Sequence, residues 1–199
     1  MQHEDKVTDQ NFRIELLGRQ EVFENALFRV YADHVVDSHG NEVPRYLSVV
    51  PRCLVDDSVA GVAVLPVAGH AIGLIRVLRH PLQRWSWEVV KGHGEPGESP
   101  AAIAERELME ETGLALLDGG LRDMGGLSPE AGVIQARSRL FAASVDAGAT
   151  AKVEPEFGHG ELQFFDRSKV LQMIAEGEIE DASSLVLVYK WLMTHDFNV

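Results

Sequence analysis

The sequence predicts an α/β fold preceded by a small antiparallel β extension. Three observations predict it. Branched and aromatic residues dominate 12–22, 27–36 and 43–50, with a turn signal at Ser38-His39-Gly40-Asn41. Beyond Pro51 and the polar Asp56-Asp57-Ser58, strand-like and helix-like segments follow one another to the end of the chain. The composition is that of a globular protein, 199 residues with 45% hydrophobic and 25% charged, enough for one core and an extension. The expected division is 1–57 for the extension and 58–199 for the larger domain.

In the larger domain, 61–66 and 71–78 read as strands joined by Val67-Ala68-Gly69-His70, and 85–90 reads as a third. A glycine-rich loop runs from Gly92 to Gly97. A helix is expected from Ser99 and Pro100, a good N-cap and a residue suited to the first helical position, to a stop at Gly113. Its packed stripe is expected at Ile103, Ala104, Leu108 and Met109. Strands at 121–127, 139–144 and 161–166 and helices at 168–176 and 182–193 complete the pattern. The long acidic stretch 145–160 has the length of a functional loop.

Charge and composition exclude several classes of function. Eighteen basic residues face 31 acidic ones, a net charge of −13. This disfavours the nucleic-acid backbone or an anionic membrane as a passive partner. No apolar run reaches the ~20 residues that span a bilayer, and the polar start of the chain does not read as a signal peptide. A single cysteine, Cys53, allows no internal disulfide and no paired-cysteine zinc site. It reads as a small buried hydrophobe in a reducing, cytoplasmic compartment. The eight histidines show no ligand spacing, and none is assigned to a metal.

The acidic excess concentrates where a helix should not want it. Glu107, Glu110 and Glu111 stand at i, i+3 and i+4 and share one face. Like charges at that spacing repel, and the C-terminal turns of a helix disfavour anions through the macrodipole. A bound cation resolves both conflicts. Clustered carboxylates are hard ligands suited to Mg2+ or Mn2+, and such ions bridging carboxylates to phosphate oxygens hydrolyse phosphoanhydrides.

The same residues match a longer pattern. Gly92, five residues, Glu98, seven residues, then Arg106-Glu107-Leu108-Met109-Glu110-Glu111-Thr112-Gly113-Leu114 resembles the Nudix box, G-x5-E-x7-R-E-U-x-E-E-x-G-U, at every fixed position. The resemblance implies an α/β/α sandwich around a mixed sheet and metal-dependent hydrolysis of a nucleoside diphosphate linked to another group, X. It implies Glu107, Glu110 and Glu111 as metal ligands and catalytic groups, with the Lys91 carbonyl and Glu98 as further metal contacts. Gly92, Arg106 and Gly113 are implied as structural support, Arg106 bracing the loop with Glu98.

Looser features resemble the ADP-ribose pyrophosphatase-like branch. They are the N-terminal β extension, which in that branch packs across a homodimer, and Ile75–Pro81 followed by Trp87-Glu88. A proline, Pro129, also falls sixteen residues after Gly113. They imply Arg79, Glu88 and Pro129 as substrate contacts, with Arg79 equally readable as one half of a structural ion pair. A loop glutamate is implied as general base; Glu154, Glu156 and Glu161 are available, and Glu156 is favoured by position. Trp85, Trp87 and Phe23 are candidates to stack on a base, or to be core. ADP-ribose, giving AMP and ribose 5-phosphate, is the expected substrate. Two departures, Lys91 before the box glycine and Glu130-Ala131-Gly132-Val133 after Pro129, keep other nucleotide sugars and dinucleoside polyphosphates open. From another class, a non-catalytic nucleotide-binding regulator is the alternative, against which the intact box argues.

Overall fold

A computed structural model describes residues 12–55, 58–148 and 156–196. The chain divides into two compact units, Met1–Arg52 with Glu130–Gln135, and Cys53–Pro129 with Ala136–Val199.

In the first unit, β1 (Ile14–Glu24), β2 (Phe28–Asp37) and β3 (Glu42–Pro51) form an antiparallel sheet in that order. Asp37 caps the expected turn through hydrogen bonds from the His39 and Asn41 backbones. Asp33, 3% exposed, is the sheet's one buried charge. The Arg19 fork grips it with two 2.8 Å bonds and Ser48 donates at 2.7 Å. That pairing holds the Asp33 carboxyl below its usual range. Segment 130–135, which departs from the resembled branch after Pro129, also belongs to this unit. It lies along β3, with Gln135 donating to the Val49 carbonyl and Val49 to that of Val133.

Among the described residues the second unit holds seven strands and three helices. The strands are β4 (Val59–Ala68), β5 (Ala71–Arg79), β6 (Arg84–Glu88), β7 (Val90–His93), β8 (Leu116–Leu127), β9 (Arg137–Val145) and β10 (His159–Phe165). The sheet order is β10-β5-β4-β9-β8, with β6 on β5 and β7 on β4. Only β4 and β9 run parallel among these pairs, so the sheet is mixed. The helices are α1 (Pro100–Thr112), α2 (Arg167–Ala175) and α3 (Ala182–Asp196).

Alternation along β4 explains the layers. Ala63, Leu65 and Val67 point into one core with Val170 and Met173 of α2 and Leu187 and Val188 of α3. Val62 and Val64 point into the other with Ile103, Ala104 and Leu108 of α1. Side chains of period two therefore face opposite helical layers, and the unit is an α/β/α sandwich.

Three local expectations need correction. The strand expected at 85–90 is two strands. At Val89 the backbone N–H turns to Ser184 Oγ at 3.1 Å, and the chain passes from β5 to β4. Strand β8 begins earlier than expected, because Gly119-Gly120 sits in a register shift between Leu116 and Leu121 rather than in a loop. In α1, Met109 is 47% exposed. The buried arc runs through Ile103, Ala104, Glu107, Leu108, Glu111 and Thr112, so carboxylates occupy the place expected for Met109.

Leu108 and Met109 should therefore differ sharply. Leu108→Ala removes a side chain 1% exposed and should destabilise the protein by about 2–5 kcal/mol. Met109→Ala should stay within about 0.5 kcal/mol. Urea unfolding of the two variants measures the contrast.

Candidate active site

The site is built on the junction of β7, the loop after it and α1. Ser99 caps the helix, its Oγ accepting from the Ala102 N–H at 3.2 Å. Pro100 occupies the first turn and Gly113 ends it in a left-handed conformation, φ 65°. This frame fixes which residues face the loop. Glu107 and Glu111 are buried, at 8% and 5% exposure, while the Glu110 side chain stays 59% exposed.

Gly92 makes the burial of Glu107 possible. A Cβ at that position would lie 1.7 Å from Glu107 Cδ and 1.9 Å from Oε1. The strand and the carboxylate thus share space that any side chain on residue 92 would fill.

Arg106 organises the rim. Its Nε and Nη2 hold the Glu98 carboxylate at 2.9 and 3.0 Å, its Nη1 reaches Glu107 at 2.8 Å and Glu110 at 3.0 Å, and Nη2 also donates to the His93 carbonyl. Fork-to-carboxylate pairing of this kind is the strong form of ion pair. It pulls Glu98 below its usual range. Glu98 in turn accepts from the Glu95 N–H at 2.9 Å, which fastens the glycine-rich loop to the helix.

One guanidinium does not neutralise this cluster. Burial raises Glu107, with Arg106 pulling against it. Burial, reinforced by the negative charges of Glu156 and Glu107, pushes Glu111 up to about 8, although the Lys91 backbone N–H and Arg79 draw it down. Glu156 approaches from the other side of the site on the turn before β10, with its side chain 57% exposed. Beside it stands His159, whose Nδ1 lies 2.9 Å from Glu156 Oε2. That contact lacks hydrogen-bond alignment, and the nitrogen is buried with no hydrogen-bond partner among the described residues. Desolvation lowers the His159 pKa, against the opposing pull of Glu156.

A second charge network adjoins the first. Glu88, 1% exposed, accepts from Arg79 Nε at 3.0 Å and Nη2 at 2.6 Å, and from Lys91 Nζ at 2.5 Å. Lys91 continues to Asp181 at 2.8 Å, and Asp181 caps α3 through the Ser184 N–H and Oγ. Arg79, Glu88 and Asp181 line a cleft of about 270 Å³. Arg79 is thus one half of an ion pair, with 40% of its side chain still exposed.

The remaining candidates lie elsewhere. Pro129 is exposed in the turn after β8, and Glu161 is exposed on β10. Glu154 falls outside the described residues. Trp87 is core, edge-on to Phe165 at 5.0 Å, whereas Trp85 and Phe23 are exposed. Sequence reasoning missed His159. Its one signal was the spacing Glu156-x-x-His159, and its approach to Glu111 depends on the pairing of β10 with β5.

The donors fit a divalent metal. Glu107 and Glu111 offer buried, mutually repelling carboxylates on one helix face. Ligand atoms of Glu111, Glu156 and His159 lie within 4.8 Å of one another. Carboxylate oxygens are hard donors of the kind that divalent cations such as Mg2+ and Mn2+ take.

Residues 57–185 match the NUDIX domain family model. The chain belongs to the Nudix domain family. Over 119 residues it is 30% identical to an ADP-ribose pyrophosphatase of Escherichia coli strain K12, a match covering 56% of this chain and 53% of that one. The same figures hold for an ADP-ribose pyrophosphatase of Shigella flexneri. The chain thus spans about half the length of these curated relatives. A crystal structure of an ADP compounds hydrolase superposes with a TM-score of 0.73 at 20% identity, covering 92% of this chain and 96% of that one, a likeness of fold. Among the described residues no helix is long and apolar enough to cross a membrane.

Two expectations follow from the site. Folded Glu111 keeps its proton to about 8, while the unfolded chain releases it near the ordinary 4.5. Between these values the folded state binds more protons, so metal-free stability is greatest below the window and falls as pH rises through it. Glu111→Gln should flatten that slope in thermal melts. Because a metal must displace the same proton, Mg2+ should raise the Tm more at the top of the window than at the bottom. Separately, Gly92→Ala should displace Glu107, and with it abolish the Mg2+-induced rise in Tm.

Proposed function

We propose that this protein is a metal-dependent pyrophosphohydrolase acting on a nucleoside diphosphate linked to X, with ADP-ribose as substrate and AMP and ribose 5-phosphate as products. The observation that carries the reading is the pair Glu107 and Glu111, buried against Gly92 and facing Glu156, which leaves the cluster short of positive charge. The curated relatives' names support the substrate.

Glu107, Glu110 and Glu111 would hold Mg2+ or Mn2+, with the Lys91 carbonyl as a backbone ligand and Glu98 reaching a metal through water. Ions bound there would supply charge neutralisation at the diphosphate and would lower the pKa of a coordinated water. The chain's own groups do the rest. Arg106 keeps three carboxylates in register, so the ligand set is organised before substrate arrives. Glu156 accepts the proton of the attacking water at a carboxylate oxygen. Arg79, oriented by the Glu88 carboxylate, presents its free N–H groups to a phosphate or ribose oxygen, and the cleft beside it takes the portion of substrate beyond the diphosphate.

The N-terminal β extension, 1–57, serves as the dimerisation element of a homodimer. All eleven residues of β1 are exposed, including Ile14 at 65% and Phe23 at 57%, as are Val43 and Leu47 of β3. A three-stranded sheet with so much apolar surface uncovered is stabilised by a second layer.

Phosphate release after phosphatase coupling, across ADP-ribose, other nucleotide sugars and dinucleoside polyphosphates, tests the activity. Wild type should turn over ADP-ribose best. Glu156→Gln should lower kcat by about 10²- to 10⁴-fold, the range of a lost general base, with KM little changed. No turnover on the whole panel, or full turnover by Glu111→Gln, would overturn the reading. In size-exclusion chromatography with light scattering the chain should weigh twice its 21.9 kDa; a monomer would refute the dimer.

A further inference from the structure

We infer that His159 Nδ1 joins Glu111 and Glu156 as a ligand in a metal position that takes a transition ion such as Mn2+ in preference to Mg2+. The inference rests on the reading that the α1 carboxylates hold divalent cations and specifies one position within that site.

Three observations converge on it. The ligand atoms of Glu111, Glu156 and His159 lie within 4.8 Å of one another, the spacing at which one ion can touch all three. The Nδ1 atom is buried and has no hydrogen-bond partner among the described residues, although it stands 2.9 Å from a carboxylate oxygen. A buried ring nitrogen without a partner is costly unless something else engages it.

The third observation is the backbone that sets the geometry. The His159 N–H donates to the Glu156 carbonyl at 3.0 Å, closing a tight turn over Phe157 and Gly158. Gly158 has φ +80°, a conformation side chains rarely adopt, and its carbonyl accepts from the Leu78 N–H at 2.7 Å. A Cβ there would meet the Leu78 oxygen at 2.8 Å. His159 itself pairs with Val77. The turn is therefore sewn to β5, and it delivers Glu156 and His159 together toward Glu111 on α1.

The donor chemistry decides the ion. Mg2+ requires oxygen ligands in near-ideal octahedral geometry and retains much of its water. Imidazole nitrogen is a ligand for first-row transition ions. Two carboxylates and one imidazole thus discriminate in favour of Mn2+ and its neighbours at this position, while the all-oxygen set on α1 accepts either class of ion.

The test uses the full chain loaded with Mn2+ and read by pulsed electron paramagnetic resonance, together with Mn2+ and Mg2+ affinities from calorimetry. Wild type should show nitrogen modulation of the Mn2+ signal. His159→Ala should abolish it and weaken Mn2+ binding by about tenfold or more, no less than the loss of an outer-shell partner costs, while Mg2+ affinity stays unchanged. His159→Asn, which keeps a polar side chain without the ring nitrogen, should behave as His159→Ala does, and both variants should retain a cooperative melt. Bound Mn2+ without nitrogen modulation in wild type, or modulation that survives in both variants, would overturn the inference while leaving the hydrolase reading intact. A wild type that binds no divalent ion would overturn both.

Discussion

The burial of two carboxylates on the sheet-facing side of α1 constrains everything around it. Glu107 and Glu111 sit where a helix of this kind would place leucine, and the rest of the site adjusts to them. Gly92 yields its Cβ so that Glu107 fits. Arg106 spreads over Glu98, Glu107 and Glu110 and still leaves the group net negative. Loss of solvation and like-charge repulsion together hold a proton on Glu111 up to about 8. On the function proposed above, an arrangement that is unfavourable by itself becomes favourable once divalent cations enter, and the site is organised before substrate arrives.

The sandwich is what makes that arrangement durable. Helix α1 is anchored by Ile103, Ala104 and Leu108 in one apolar layer, while α2 and α3 close the other. The carboxylates therefore stand on a rigid element instead of a loop. The Glu88 network ties the same region to the far helical layer, from Arg79 through Glu88 and Lys91 to Asp181 at the start of α3. Glu88 is fully paired, which is the condition under which a buried charge is tolerated.

Much of this was legible in residue types and spacings. Ser99, Pro100 and Gly113 bound α1 by local chemistry, and Glu107, Glu110 and Glu111 share a face through helical geometry alone. What depended on long-range contacts was not legible. Met109 looked like core because it is apolar, but the helix turns Glu107 and Glu111 inward instead. Val89 read as part of a single strand over 85–90, yet Ser184, 95 residues away, captures its N–H and separates β6 from β7. His159 carried only its short spacing from Glu156, because its neighbour Glu111 is 48 residues away in sequence and is brought close by β10 pairing with β5. Arg79 was readable as a substrate contact or an ion-pair partner, and Glu88 makes it at least the second.

On the function proposed above, the buried carboxylates of α1 hold divalent cations. The most direct measurement is anomalous X-ray diffraction from crystals of the protein grown with Mn2+. Strong anomalous density in contact with Glu107 and Glu111, beside Gly92, is the predicted result. Crystals saturated with Mn2+ that show no density there, with Glu107 and Glu111 unmoved, would contradict it.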